Sequence, residues 1–196
     1  MGVLMGPIHA LKVVNDVLLR IGRALAVIAL AIMVAVILAQ VFFRYVLNDA
    51  LPWPDEAARF MMLWMTGLIA PMAYRRGGFV AIDMVERALP ARTAAGLTLS
   101  LLALSLAVLI FAIQIGWSEV TGFGGSFATA SLYVPTSLSF DTWFRVPRSW
   151  MMASLLVGLA LMILVNVELI LRQIVTMLGG GDALPKLHVI DLPEAE

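Results

Sequence analysis

The sequence predicts an all-α integral membrane protein, a single bundle of four transmembrane helices with both termini in the cytoplasm. Three observations carry that expectation. Of 196 residues, 62% are hydrophobic and 13% charged, with a mean hydropathy of +0.98, whereas a soluble domain carries about 25% charged residues. Apolar runs able to cross a hydrocarbon core of roughly 30 Å, at ~20 residues each, recur four times. Lys and Arg gather mainly at the connections of one face. A membrane domain over 1–178, with spans at about 22–45, 54–74, 93–117 and 148–173, leaves only a tail, 179–196, and no soluble catalytic domain.

The first run, "ALAVIALAIMVAVILAQVFF" from Ala24 to Phe43, follows Lys12, Arg20 and Arg23. It is too long for the ~7 to 15 apolar residues of a signal peptide, and a cut after Ala39 would set the large Ile37 where a small residue is needed. It reads as a retained helix. The second, Ala57 to Tyr74, contains Pro71, whose ring should kink the helix near its far end. The third, Thr93 to Trp117, and the fourth, Arg148 to Arg172, are plain spans.

Orientation follows from charge. Lys12, Arg20, Arg23, Arg75, Arg76, Arg87, Arg92, Arg172 and Lys186 fall on one side, against Arg44, Arg59, Arg145 and Arg148 on the other. The positive-inside rule therefore puts both termini in the cytoplasm. "RRGGFVAIDMVERALP", between spans two and three, fits either a short amphipathic helix on the cytoplasmic surface or a plain loop. The outer connection from Ser118 to Pro147 is long, nearly uncharged and rich in aromatics, including Trp143 and Phe144, so it should not hang free in water. Asp141 and Arg145 are spaced as a helical pair, which suggests a short helix on the membrane face; burial of the aromatics among lipid headgroups is the alternative. The tail, with three glycines and two prolines, reads as a flexible cytoplasmic end.

The charges concentrate in "QVFFRYVLNDALPWPDEAARFMMLW", Gln40 to Trp64. Pro54 suits the first turn of a helix, and Asp55 with Glu56 place negative charge against its positive end. Arg59, four residues after Asp55 and three after Glu56, lies on the same face and can ion-pair there. Trp53 falls at headgroup depth. A well-anchored helix start, with Arg44 reaching out from the first span, accounts for these residues without any partner.

"RYVLNDALPWPDEAARFMMLW" followed by "AYRRGGFVAIDMV" resembles the signature of the DctQ-type small membrane subunit of tripartite ATP-independent periplasmic (TRAP) transporters. Arg44 and Tyr45 match its first element, Pro52 and Trp53 the second, Asp55 and Glu56 the acidic pair, Arg59 the paired base, Trp64 the aromatic of the second span, and Arg75, Arg76, Gly77 and Asp83 the cytoplasmic turn. Many members carry a His four residues before that Asp, where this chain has Phe79. The resemblance implies a multi-pass protein of the bacterial inner membrane that partners a large elevator-type permease subunit and a periplasmic substrate-binding protein. It also implies import of an organic acid on a sodium gradient.

Other classes find little support in the residues. The chain has no cysteine, which excludes disulfides, zinc knuckles and thiol catalysis. Net charge is zero and no basic cluster tracks phosphates, so nucleic acid is not a partner. His9 and His188 lie in terminal segments, which argues against the haem-binding anchor of a respiratory enzyme. A self-contained antiporter needs a free acid inside a span; Glu168 stands one turn before Arg172 and reads as an i, i+4 pair. No nucleophile–base pair, paired carboxylates or phosphate loop appears, so no enzyme and no cofactor is expected. Gln40 and Gln114 can hydrogen-bond a neighbouring helix. Small residues recur every four positions, Ala31, Ala35 and Ala39, Gly96 and Ser100, Ser154 and Gly158, as close helix packing requires, though an Ala-rich chain produces such spacing by chance. The residues expected at partner interfaces are Arg44, Trp53, Asp55, Glu56, Arg59, Trp64, Arg75, Arg76, Asp83 and Trp143.

Overall fold

The computed structural model describes residues 2–76, 89–136, 141–181 and 184. Four helices dominate: α1 (Gly2–Tyr45), α2 (Pro54–Arg75), α3 (Ala91–Thr121) and α4 (Arg148–Met177). Between α3 and α4 lie a 3-10 turn (Phe123–Ser126) and two antiparallel strands, β1 (Ala128–Pro135) and β2 (Trp143–Pro147). α1, α3 and α4 are long and apolar enough to cross a membrane. α2, with 22 residues, is about 33 Å long at 1.5 Å per residue. It packs between α1 and α4 but is less apolar than its neighbours.

α4 is the hub, packing against α3, α2 and α1, while α2 also packs against α1. Trp64 meets Trp150 and Tyr74 meets Asn166, so α2 and α4 run parallel. α1 runs against them, pairing Asn15 with Glu168. Its buried positions Asn15, Leu19, Gly22, Ala26 and Ala29 follow the three-and-four spacing of a helix-packing seam. Leu19, Tyr74 and Val165 form the core layer, one from each of three helices, with Met72, Met162 and Leu169 packed around them.

The crossing of α2 and α4 is the closest contact. A Cβ on Gly67 would stand 2.4 Å from the Ser154 carbonyl oxygen, and one on Gly158 would stand 2.7 Å from that of Gly67. Only glycine at both positions lets the backbones meet. Pro71, one turn beyond Gly67, has no N–H to give the Gly67 carbonyl. That carbonyl lies against the Gly158 backbone. α2 runs on past the proline to Arg75. Of the small-residue repeats, Ser154 with Gly158 is therefore used. Gly96 has nothing within 4 Å of a Cβ, and Ala31, Ala35 and Ser100 are exposed.

α1 extends back to Gly2, so the expected span at about 22–45 lies within a longer helix, in whose first part Lys12, Asn15 and Asp16 are paired. One expectation needs correction. The protein is not wholly helical, since the Ser118–Pro147 connection forms a β-hairpin where a short surface helix was expected. Its β-branched and aromatic residues favour strands, and Arg145 turns to the carbonyls of Thr129 and Ala130 instead of reaching back to Asp141. The alternative of an amphipathic helix or a loop after Arg76, and the tail beyond Gly181, apart from Leu184, lie outside the described residues.

Candidate functional site: the hairpin face and a buried charge cluster

Polar chemistry collects at the two ends of the bundle. At the hairpin end, α2 starts at Pro54 with Asp55 and Glu56 in its first turn, as the sequence predicts. The β1/β2 ladder pairs Tyr133 with Arg145, Val134 with Phe144 and Pro135 with Trp143, then slips between Ala128 and Tyr133. Side chains take over the backbone groups freed by that bulge. The Glu56 carboxylate accepts the Ala130 N–H at 2.8 Å, the Ser131 N–H, and the Ser131 hydroxyl at 2.9 Å. The Arg145 guanidinium donates to the carbonyls of Thr129 and Ala130, the latter at 2.8 Å, and lies over the Tyr133 ring. Thr129, fully buried, donates to the Val146 carbonyl at 2.7 Å. The bulge is thus held between an acid from α2 and a base from β2.

Arg59 does not pair as the sequence suggested. Glu56 is occupied by the hairpin, and among the described residues no ion pair joins Arg59 to Asp55 or Glu56; both Asp55 and Arg59 are exposed. Arg44 is exposed on the last turn of α1, 5.9 Å from the Tyr45 ring. Trp53 caps α2 and is partly exposed. Trp143 stands on β2 in an exposed set with Phe123, Phe127, Tyr133, Phe144 and Trp150. Trp64 is a packing residue: its indole N–H donates to the Trp150 carbonyl at 3.1 Å and ties α2 to α4.

At the opposite end Glu168 is completely buried. Its carboxylate accepts from Arg172 Nε at 2.9 Å, from Arg75 Nη2 at 2.8 Å and from Asn15 Nδ2 at 2.7 Å. Arg75 also pairs with Asp16, which Lys12 reaches at 3.3 Å. The expected Glu168–Arg172 pair is real but is only a part of this cluster. Three helices meet in it, so desolvated charges are matched rather than stranded. Asn15, Asp16 and Lys12 were missed because they precede the apolar run; the Lys12–Asp16 spacing was the available signal. Arg75 is turned into this cluster, whereas Arg76 caps α2 and is exposed. Asp83 lies outside the described residues. Among those described, no group of three or more His, Cys, Asp or Glu is placed to hold a metal ion.

Residues 33–176, covering both the acidic motif and the Glu168–Arg172 pair, match the family model of the DctQ component of tripartite ATP-independent periplasmic transporters. The chain belongs to the DctQ family. It is also similar to the sialic acid TRAP transporter small permease protein SiaQ of Vibrio cholerae, with 28% identity over 169 residues, 86% of this chain and 90% of that one. A DctQ-family chain is a membrane component of a transporter, and the apolar helices fit that role.

Proposed function

We propose that this protein is the small membrane subunit of a TRAP-type secondary transporter, bracing the large permease subunit and helping to dock the periplasmic binding protein. In this reading all four helices cross the bacterial inner membrane, with both termini in the cytoplasm and the hairpin facing the periplasm. The Lys and Arg asymmetry supports that orientation. The imported solute is an organic acid and the driving gradient is sodium, as family membership suggests.

The observation that carries the proposal is the hairpin face. A bulged hairpin fastened to α2 carries exposed aromatics at the end of the bundle where Asp55 and Arg59 are also exposed, with no ion-pair partner among the described residues. Aromatic residues beside exposed charge suit a protein interface. The buried acid that a self-contained antiporter would need, Glu168, already accepts from three donors. Charge reversal tests the proposal. Asp55→Arg and Arg59→Glu should leave the subunit in the membrane at wild-type amounts but reduce uptake or co-purification with the large subunit. Normal uptake at normal protein level would sink the interface reading.

A further inference from the structure

The two acids of the motif are adjacent in sequence but differ in their surroundings. Asp55 is exposed with no ion-pair partner among the described residues. The donors to Glu56 come from consecutive residues of the hairpin bulge, the Ala130 and Ser131 N–H groups and the Ser131 hydroxyl, with the Leu132 N–H alongside them. The Ser131 hydroxyl also reaches the Pro52 carbonyl at 2.9 Å, so Ser131 is held from both sides of the α2 start. Besides this attachment, the hairpin is tied to α4 by the chain at Arg148, whose N–H donates to the Phe127 carbonyl at 2.8 Å.

We infer that Glu56 is a positioning residue: its carboxylate locks the hairpin to the first turn of α2, so that the aromatic face and the α2 start move as one body. Its charge is consumed inside the subunit and is not read by a partner, which leaves Asp55 as the acid of the pair that a partner can sense. The consequence for docking rests on the proposed function above. Two features fit a lock better than a contact site. The carboxylate accepts backbone N–H groups that the slipped ladder cannot pair, and ionised acceptors make stronger hydrogen bonds than neutral ones. The Arg145 guanidinium holds the carbonyls of the same bulge, so acid and base grip one segment from two elements.

The test compares Glu56→Gln, Ser131→Ala and Asp55→Asn in the complete transporter, reconstituted in nanodiscs with its own periplasmic binding protein. Hydrogen exchange is followed in the peptide covering 128–133, and docking affinity is measured across a range of salt. Glu56→Gln, which keeps size and one acceptor oxygen, should speed exchange at Ala130 and Ser131 by about tenfold, the loss of one charge-assisted bond. Ser131→Ala should act in the same direction more weakly. Glu56→Gln should weaken docking without changing its salt dependence, because no charge facing the partner is lost. Asp55→Asn should leave exchange unchanged and reduce the salt dependence. Unchanged exchange in Glu56→Gln, or a salt dependence that falls in that variant, overturns the lock. Faster exchange with undiminished docking and uptake supports the lock and overturns the docking role of the hairpin face.

Discussion

Gly67→Ala adds one methyl group at the α2–α4 crossing, where the new Cβ would sit 2.4 Å from the Ser154 carbonyl oxygen. Ordinary van der Waals contact for such a pair begins near 3.4 Å, so the backbones must part by about 1 Å. The obstruction is main chain on both sides, and no side chain can rotate away. Separation on that scale strains the Trp64–Trp150 hydrogen bond on one side of the crossing and the Tyr74–Asn166 hydrogen bond on the other. Overpacking of this kind costs about 1–3 kcal/mol, or a few degrees of melting temperature at ~2–4 °C per kcal/mol for a chain of this size. Gly96→Ala is the internal control. It sits in α3 with nothing within 4 Å of the added carbon, and alanine favours helix over glycine by about 1 kcal/mol. Thermal unfolding in detergent, followed by tryptophan fluorescence, should place Gly67→Ala below wild type and Gly96→Ala at or above it. Equal stability of Gly67→Ala and wild type would refute the close-crossing argument.

Two further substitutions probe the ends of the bundle. Glu168→Ala removes the shared anion from Arg75, Arg172 and Asn15; breaking a buried ion pair by deleting one partner costs about 3–5 kcal/mol. Little folded protein should survive purification by size exclusion, and a wild-type yield and melting point would contradict the buried cluster. Arg145→Ala strips the donor from the Thr129 and Ala130 carbonyls. Limited proteolysis should then cut within the hairpin a few-fold faster while the helices stay intact, and an unchanged cleavage rate would show that the bulge does not need that side chain.

The start of α2 was legible because Pro54, Asp55 and Glu56 each favour a helix N-terminus for a local reason. Local reasons also made the Glu168–Arg172 pair readable, since both partners lie one turn apart on a single helix. The inner part of α1 was not readable in this way. Lys12, Asn15 and Asp16 look like an end to an apolar run until Arg75 and Glu168, 59 and 153 residues away from their respective partners, are brought beside them. Gly67 likewise has no small neighbour at four-residue spacing in α2; its meaning lies in Ser154 and Gly158 on α4. In the outer connection one local signal was read and a second was not weighed. The Asp141–Arg145 spacing suggested a helix, whereas the Val, Thr, Tyr and Trp content favours strands, and pairing across the hairpin decides for the latter. Arg59 shows the same dependence on distant chain, because its expected partner Glu56 is taken by Ala130 and Ser131.

The central claim, that this chain is an obligatory helper rather than a transporter in itself, is tested most directly by reconstitution. Proteoliposomes would hold the large permease subunit and the binding protein, with and without this chain, under an imposed sodium gradient, alongside vesicles holding this chain alone. Uptake of a radiolabelled organic acid is predicted only where all three components are present. Uptake driven by this chain alone, or an undiminished rate when it is left out, would contradict the account.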